Sequence, residues 1–173
     1  IQEKINGLSD GDTLNFENGT YTDICLVVNK SITINGNGAT LIGYDTPSKA
    51  NTPQIIYKPT NESGYAISNF ATLFIVNTHD VVLNGLVFIG GANSGSNVAD
   101  GLVYVKSVKN ILIDNNTFDG SCTGVYLVQS HDGTIANNHI QNQASTGILN
   151  FQSARTLIEN NTVINAINHG IEI

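Results

Sequence analysis

Several residue types are scarce in this 173-residue chain, and each scarcity excludes something. Tryptophan and methionine are absent, and Arg155 is the only arginine. Charged residues make up 12% of the chain and the formal net charge is −7, so no basic surface is available for phosphates. Nucleic acid and anionic membrane are therefore excluded as partners. No run of about 18 apolar residues occurs, which excludes membrane insertion within this segment, and no secretory leader pattern opens it. The HExxH, CxxC, GxSxG and phosphate-loop signatures are missing, so neither a metal nor a cofactor is expected. All three prolines, Pro47, Pro53 and Pro59, fall in one stretch.

Asparagine and glycine are plentiful, at 24 and 17 residues. Both are poor in ordinary helices and strands, and both tolerate left-handed backbone at tight corners. Their placement is periodic. Gly101, Gly124, Gly147 and Gly170 each open a short apolar run (GLVYV, GVYLV, GILNF, GIEI) at intervals of 23 residues. Out of phase with them run LIDNNTF, TIANNHI and LIENNTV, with second asparagines at Asn116, Asn138 and Asn161. A repeat of this length with short strand-like runs and no helix between them predicts a single-stranded parallel β-helix, an all-β solenoid; the right hand is what the resemblance given below implies. Each coil is expected to take one strand from the glycine run and one from the NNT run, then return through a polar stretch. Stacked coils, about 4.8 Å apart, share a core that no coil can bury alone.

Along the chain, residues 1–9 place Ile1, Ile5 and Leu8 at helical spacing, as in a short N-terminal capping helix over the first coil. Leu26, Val28, Ile32 and Ile34 then alternate as inward residues. Residues 44–70 break the rhythm and read as a loop insertion, and residues 89–100 as a second, smaller one. The whole, 1–173, reads as one β-helix domain. Because pattern runs to both ends, the segment is expected to be an excised piece of a longer protein. Gly170–Ile173 opens a coil whose strand edges call for further chain or another molecule.

Among residues that could carry chemistry, Asn116, Asn138 and Asn161 are placed to form a ladder that satisfies backbone groups at a coil corner. Acceptor patterns for N-glycosylation occur at Asn18, Asn29, Asn61, Asn115 and Asn160, with Asn61 in the long insertion. Asp80, Asn110 and Asp132 fall at equivalent points of successive coils, behind His79, Lys109 and His131, and Arg155 joins the same column. Two coils separate Asp80 from Asp132, about 10 Å, too far to share one calcium ion directly. Such residues commonly cap backbone amides in turns. Cys25 and Cys122 lie too many coils apart for a disulfide. If the first and third residues after each glycine point inward, Val103, Tyr126, Leu149 and Glu172 form an outward column. This is either a contact stripe or a face covered by the 44–70 insertion. Tyr57 and Tyr65 in that insertion, with Tyr126 and Leu149, are the expected binding residues.

The blocks IQEKINGLSDGDTLNFENGTYT and NKSITINGNGATLIG, followed by repeats such as ILIDNNTFDGSCTGVYLVQS, resemble the right-handed β-helix domains of adhesin-like surface proteins of methanogenic archaea. Similar repeats occur in carbohydrate-associated β-helix proteins and in periplasmic copper-enzyme accessory proteins. The resemblance implies an extracellular, cell-surface, non-catalytic module that displays or adheres to a glycan or protein partner. One alternative is a polysaccharide lyase or glycoside hydrolase with an acidic groove of Asp80, Asp100, Asp119 and Asp132; another is a passive spacer.

Overall fold

A computed structural model describes residues 1–43, 71–90 and 101–173. Among the described residues, after one short helix, α1 (Gln2–Gly7), every regular element is a strand, and every strand pair is parallel. Each coil has three faces. The first comprises β3 (Leu26–Val28), the first half of β6 (Ala71–Asn84), the first half of β8 (Gly101–Asp114), β10 (Thr123–Val128), β13 (Thr146–Phe151) and β16 (His169–Glu172). The second comprises β1 (Thr13–Asn15), β4 (Thr33–Asn35), the second halves of β6 and β8, β11 (Thr134–Ala136) and β14 (Leu157–Glu159). The third is a separate six-stranded sheet of β2 (Thr20–Ile24), β5 (Thr40–Gly43), β7 (Val87–Ile89), β9 (Thr117–Asp119), β12 (His139–Gln141) and β15 (Thr162–Ile164).

The expected two-strand coil is thus corrected to three. The NNT run is not one strand but two short ones bent round a corner, because Asn115, Asn137 and Asn160 take φ values of 54°, 56° and 54°. Asparagine is among the few residues that adopt this left-handed backbone readily.

Inward side chains stack coil on coil. Leu83, Ile113, Ile135 and Ile158 form one column, and Phe88, Phe118, Ile140 and Val163 another. The Phe88 and Phe118 rings are stacked with centroids 5.2 Å apart. All of these are fully buried except Ile158 and Val163, which are partly buried against the same core.

Helix α1 closes the first coil. Ile5 enters the core and Leu8 packs on it. The Gln2 side chain treats β3 as a neighbouring strand would: its Nε2 donates to Val27 O (3.0 Å) and its Oε1 accepts from Val27 N (2.8 Å). Lys30 Nζ donates to the carbonyls of Asn6 and Leu8, and Asp10 accepts from the Ser31 amide. Edge groups that would otherwise invite another strand are thereby occupied.

The register also corrects the phase of the glycine repeat. Thr123 pairs with Gly101, and Val125 with Val103, so Gly101 is not the equivalent of Gly124. Gly124, Gly147 and Gly170 do share a column, since Thr123, Thr146 and His169 pair in sequence. Val103 therefore points inward with Val125 and Ile148, and Tyr104 takes the outward place assigned to it. Asn150 does face inward beside Leu127, and its Oδ1 accepts from Thr156 Oγ1 at 3.2 Å.

Candidate functional site

The corner between the first and second faces brings Asp80, Lys109, Asp132 and Arg155 together with His79 and His131. It is built from Asn77–Asp80, Ser107–Asn110, Gln129–Asp132 and Gln152–Arg155, and the first and last residue of each has positive φ, between 48° and 58°. Two left-handed residues in four turn the chain and throw the last side chain outward. His79, Lys109 and His131 pair in sequence just before it. Behind this row a smaller polar one is buried. Ser130 Oγ accepts from the Val108 amide and donates to Val128 O, and Ser153 Oγ accepts from the Ser130 amide.

Outside, the column Asp80–Asn110–Asp132–Arg155 is bonded in pairs. Asn110 Nδ2 donates to one Asp80 oxygen, and His79 Nδ1 contacts the other at 2.9 Å. Arg155 grips Asp132 bidentately through Nε and an NH2 nitrogen. The Asn110 bond, then the His79 contact, hold the Asp80 carboxyl below its ordinary range. The Arg155 hydrogen bonds do the same for Asp132, and Asp132 in turn raises the guanidinium.

The chemical consequence is specific. A glycosidic bond is broken with the help of a carboxylic acid whose pKa is raised so that it still carries a proton near neutrality. Asp80 and Asp132 are pushed the other way. They are also two coil steps apart, about 10 Å, with Asn110 between them. Asp119 belongs to a different corner, where it accepts from Gln141 Nε2 and Asn142 Nδ2, both at 2.8 Å. Asp80, Asp119 and Asp132 thus line no common groove, and Asp100 lies outside the described residues.

At the corner between the second and third faces, Asn138 Oδ1 accepts from the Asn116 amide (2.9 Å) and Asn161 Oδ1 from the Asn138 amide (2.9 Å). Their Nδ2 groups reach down to carbonyls of the preceding coil: Asn116 to Leu83, Asn138 to Ile113 and Asn161 to Ile135. Leu86 stands where the next rung below would be, and its amide donates to Asn116 Oδ1.

Of the expected binding residues, Tyr57 and Tyr65 lie outside the described residues, as does Asn61. Tyr126 and Leu149 are outward, yet only 4% and 8% exposed, so they present no open contact stripe. They belong to a second apolar cluster with Phe74 and Tyr104. The aromatic rings step edge-to-face, with centroids 5.7 Å apart from Phe74 to Tyr104 and 5.3 Å from Tyr104 to Tyr126. Sequence reasoning missed Phe74 and Tyr104 because 30 residues separate them, against the 22 from Tyr104 to Tyr126. Asn18 and Asn29 are exposed. The hydroxyl of Ser31, which completes the Asn29 pattern, is nearly buried and donates to Asp80 O. Cys25 and Cys122 are both buried and form no disulfide.

No curated protein sequence matches the chain. Among solved structures, a protein of Parabacteroides merdae ATCC 43184 described as a "putative glycosyl hydrolase" superposes with a TM-score of 0.51 at 14% identity, over 94% of this chain and 86% of that one. At such identity the likeness shows the fold alone.

The family model described as "Periplasmic copper-binding protein (NosD)" matches residues 26–173. Copper favours thiolate, thioether or imidazole donors, and the described donors do not fit a shared ion. Methionine is absent. Cys25 and Cys122 sit at coils three steps apart along Leu26, Leu73, Val103 and Val125, about 14 Å. His79 and His131 flank Lys109 from opposite sides. Among the described residues no three His, Cys, Asp or Glu side chains gather as ligands. What is shared is the coil itself, matched from β3 to the last strand, and on that match the chain belongs to the NosD family.

Proposed function

We propose that this chain is a carbohydrate-directed β-helix module, working outside the cytoplasm, that offers a rigid polar surface to a glycan without cleaving it. The observation that carries the reading is the state of the corner column. Asp80 and Asp132 are each held by hydrogen-bond donors that favour the charged form, the opposite of what the proton donor of a hydrolase needs. Carbohydrate as the ligand class is supported by the description of the Parabacteroides protein and by a sequence with 30 amide side chains (24 Asn, 6 Gln) against 21 charged ones. Placement outside the cytoplasm is supported by the family description, which is of a periplasmic protein. Adhesion to a surface glycan or protein is one use of such a module, and a passive spacer would differ from it only in having no ligand. The last coil, with Leu157, Ile164, Ile167 and Ile171 exposed, would accept a further β-coil.

The second reading is a glycoside hydrolase or lyase, of which the description of the Parabacteroides protein favours the hydrolase. One experiment separates them: a glycan array run beside a depolymerisation assay on mixed polysaccharides. The proposal expects array binding with neither new reducing ends nor unsaturated products. Turnover that disappears in Asp80→Asn or Asp132→Asn would establish the enzyme instead.

A further inference from the structure

The asparagine corner has one empty place. Asn84 pairs with Asp114 and Val87 with Thr117, so Gly85 occupies the position that Asn115, Asn137 and Asn160 fill in later coils. Gly85 keeps the left-handed backbone of the corner (φ 71°) but supplies no side chain. On its other side the preceding coil passes through Asn37 and Gly38, both also at positive φ (51° and 79°). The missing side chain leaves an open cavity of about 420 Å³, lined by Asn35, Asn37, Asn84, Asn115 and Thr117 over Val87. That volume lies within the range of small-molecule sites.

The lining combines uncharged polar groups with the apolar side chains of Leu86 and Val87, and three of its amides are held in place. Asn35 Nδ2 donates to Asn15 Oδ1 (3.0 Å), Asn37 Nδ2 to Phe16 O (3.0 Å) and Asn84 Nδ2 to Asp114 Oδ2 (3.3 Å). Each bond uses one amide hydrogen and fixes the side chain, leaving its Oδ1 and second N–H for a ligand. No charged side chain lines the cavity. Asp114, behind Asn84, has both oxygens engaged, the second by Asn137 Nδ2 at 2.7 Å. An anion would meet that carboxylate and a net charge of −7, with no cation in the lining to offset them. A cation would find amide and hydroxyl dipoles in the lining and, behind it, only a carboxylate already bonded on both oxygens by Asn84 and Asn137. Hydroxyl groups, which donate and accept at once, match paired amide donors and acceptors.

Resting on the carbohydrate-directed reading above, we infer that this notch binds a neutral saccharide, one or two sugar rings seated at Gly85 between the amides of Asn35, Asn84 and Asn115. The test fills the notch. Gly85→Asn restores the residue type of the later coils, and asparagine tolerates the backbone. A Cβ there meets its nearest neighbour, Asn37 N, at 3.5 Å, an ordinary contact. Thr117→Val, which removes only a hydroxyl, serves as a second variant should Gly85→Asn lower the melting temperature.

Side-chain amide resonances of 15N-labelled protein would be titrated with cellotriose, mannotriose and laminaritriose, and with a galacturonate trimer as the charged comparator. The expected result is shifts at Asn35, Asn37, Asn84 and Asn115 with a neutral trisaccharide. Gly85→Asn should weaken that binding roughly tenfold or more at unchanged melting temperature, and Thr117→Val should weaken it severalfold, the scale of one or two lost ligand hydrogen bonds. Saccharide binding that is undiminished in both variants would overturn the site while leaving the carbohydrate-directed reading standing. Preference for the galacturonate trimer at the same amides would overturn the neutral ligand class. No response to any of the four sugars, anywhere in the protein, would overturn site and reading together.

Discussion

Replacing Asn138 by alanine tests the ladder where it is most enclosed. Asn138 is 2% exposed, as is Asn116 beneath it. The substitution deletes an acceptor for the Asn116 amide (2.9 Å) and for Asn116 Nδ2 (3.2 Å), a donor to Ile113 O (2.9 Å) and a donor to Asn161 Oδ1 (2.9 Å). Alanine can replace none of these. Two buried backbone groups, the Asn116 N–H and the Ile113 carbonyl, are left without these partners, at about 1–3 kcal/mol each. The expected loss is therefore about 2–6 kcal/mol. The same change at Asn161 should cost less, because that coil is partly exposed and water can replace the lost bonds. Urea unfolding followed by circular dichroism at pH 7, with unchanged slope, measures both. Native-state hydrogen exchange at the Asn116 amide gives an independent reading, since that proton should lose protection selectively. A loss at Asn138 below about 1 kcal/mol, with the Asn116 amide still protected, would show that the ladder is not what satisfies this corner.

The other expectations are simpler. Ile135→Ala empties a fully buried place between Ile113 and Ile158 and should cost about 2–5 kcal/mol in the same assay. Gly124→Ala would bring a Cβ to 2.7 Å from Gly147 O and 2.9 Å from the Ile140 side chain, so it should destabilise by about 1–3 kcal/mol although only a methyl group is added. Thiol titration of denatured, unreduced protein should find both sulfhydryls, and finding none would contradict the coil assignment. Asp132 has a lowered pKa when folded, so its pairing with Arg155 stabilises above the unfolded pKa of about 3.9 and is lost as pH falls through the folded value. Asp132→Asn should accordingly be less stable than the parent at pH 7 in low salt. The difference should narrow in 1 M salt and close at acid pH; urea midpoints across pH would show it.

Much of this fold is legible in the sequence because a solenoid repeats its constraints. Asparagine is needed wherever a corner turns left-handed, or where a short amide must reach both a neighbouring coil's backbone and its own rung. That demand recurs once per coil, so Asn116, Asn138 and Asn161 announce it. The capping helix shows through the spacing of Ile5 and Leu8. Three features did not show, each for a physical reason. Glycine marks close packing at Gly124 and Gly147, but Gly101 has a different neighbour, and only strand register reveals the one-residue offset that turns Val103 inward. The first two faces are joined without a break in β6 and β8, so three faces read as two. Acidic residues are visible individually, yet which corner each occupies is not. Asp119 therefore looked like a neighbour of Asp80 and Asp132 until the coils were stacked.

The same reasoning explains why the notch at Gly85 was invisible. In sequence, Asn84-Gly85 reads as an ordinary turn, since glycine satisfies positive φ as well as asparagine does. Backbone conformation at the corner is identical in kind whether the residue is Gly85 or Asn115. What differs is the side chain projecting outward, and in a solenoid that matters only relative to the coils above and below. A glycine among glycines leaves a smooth edge; a glycine among asparagines leaves a gap whose walls are amides. The fold thus separates two demands that one position usually answers together. The corner needs left-handed backbone, and the surface needs a particular side chain. Where the first is met by glycine, the second is released. Coils that must stack with the same geometry can then vary their outer surface one rung at a time, placing a polar recess on an otherwise repetitive scaffold without altering the core columns of Ile113 and Phe118 just beneath it.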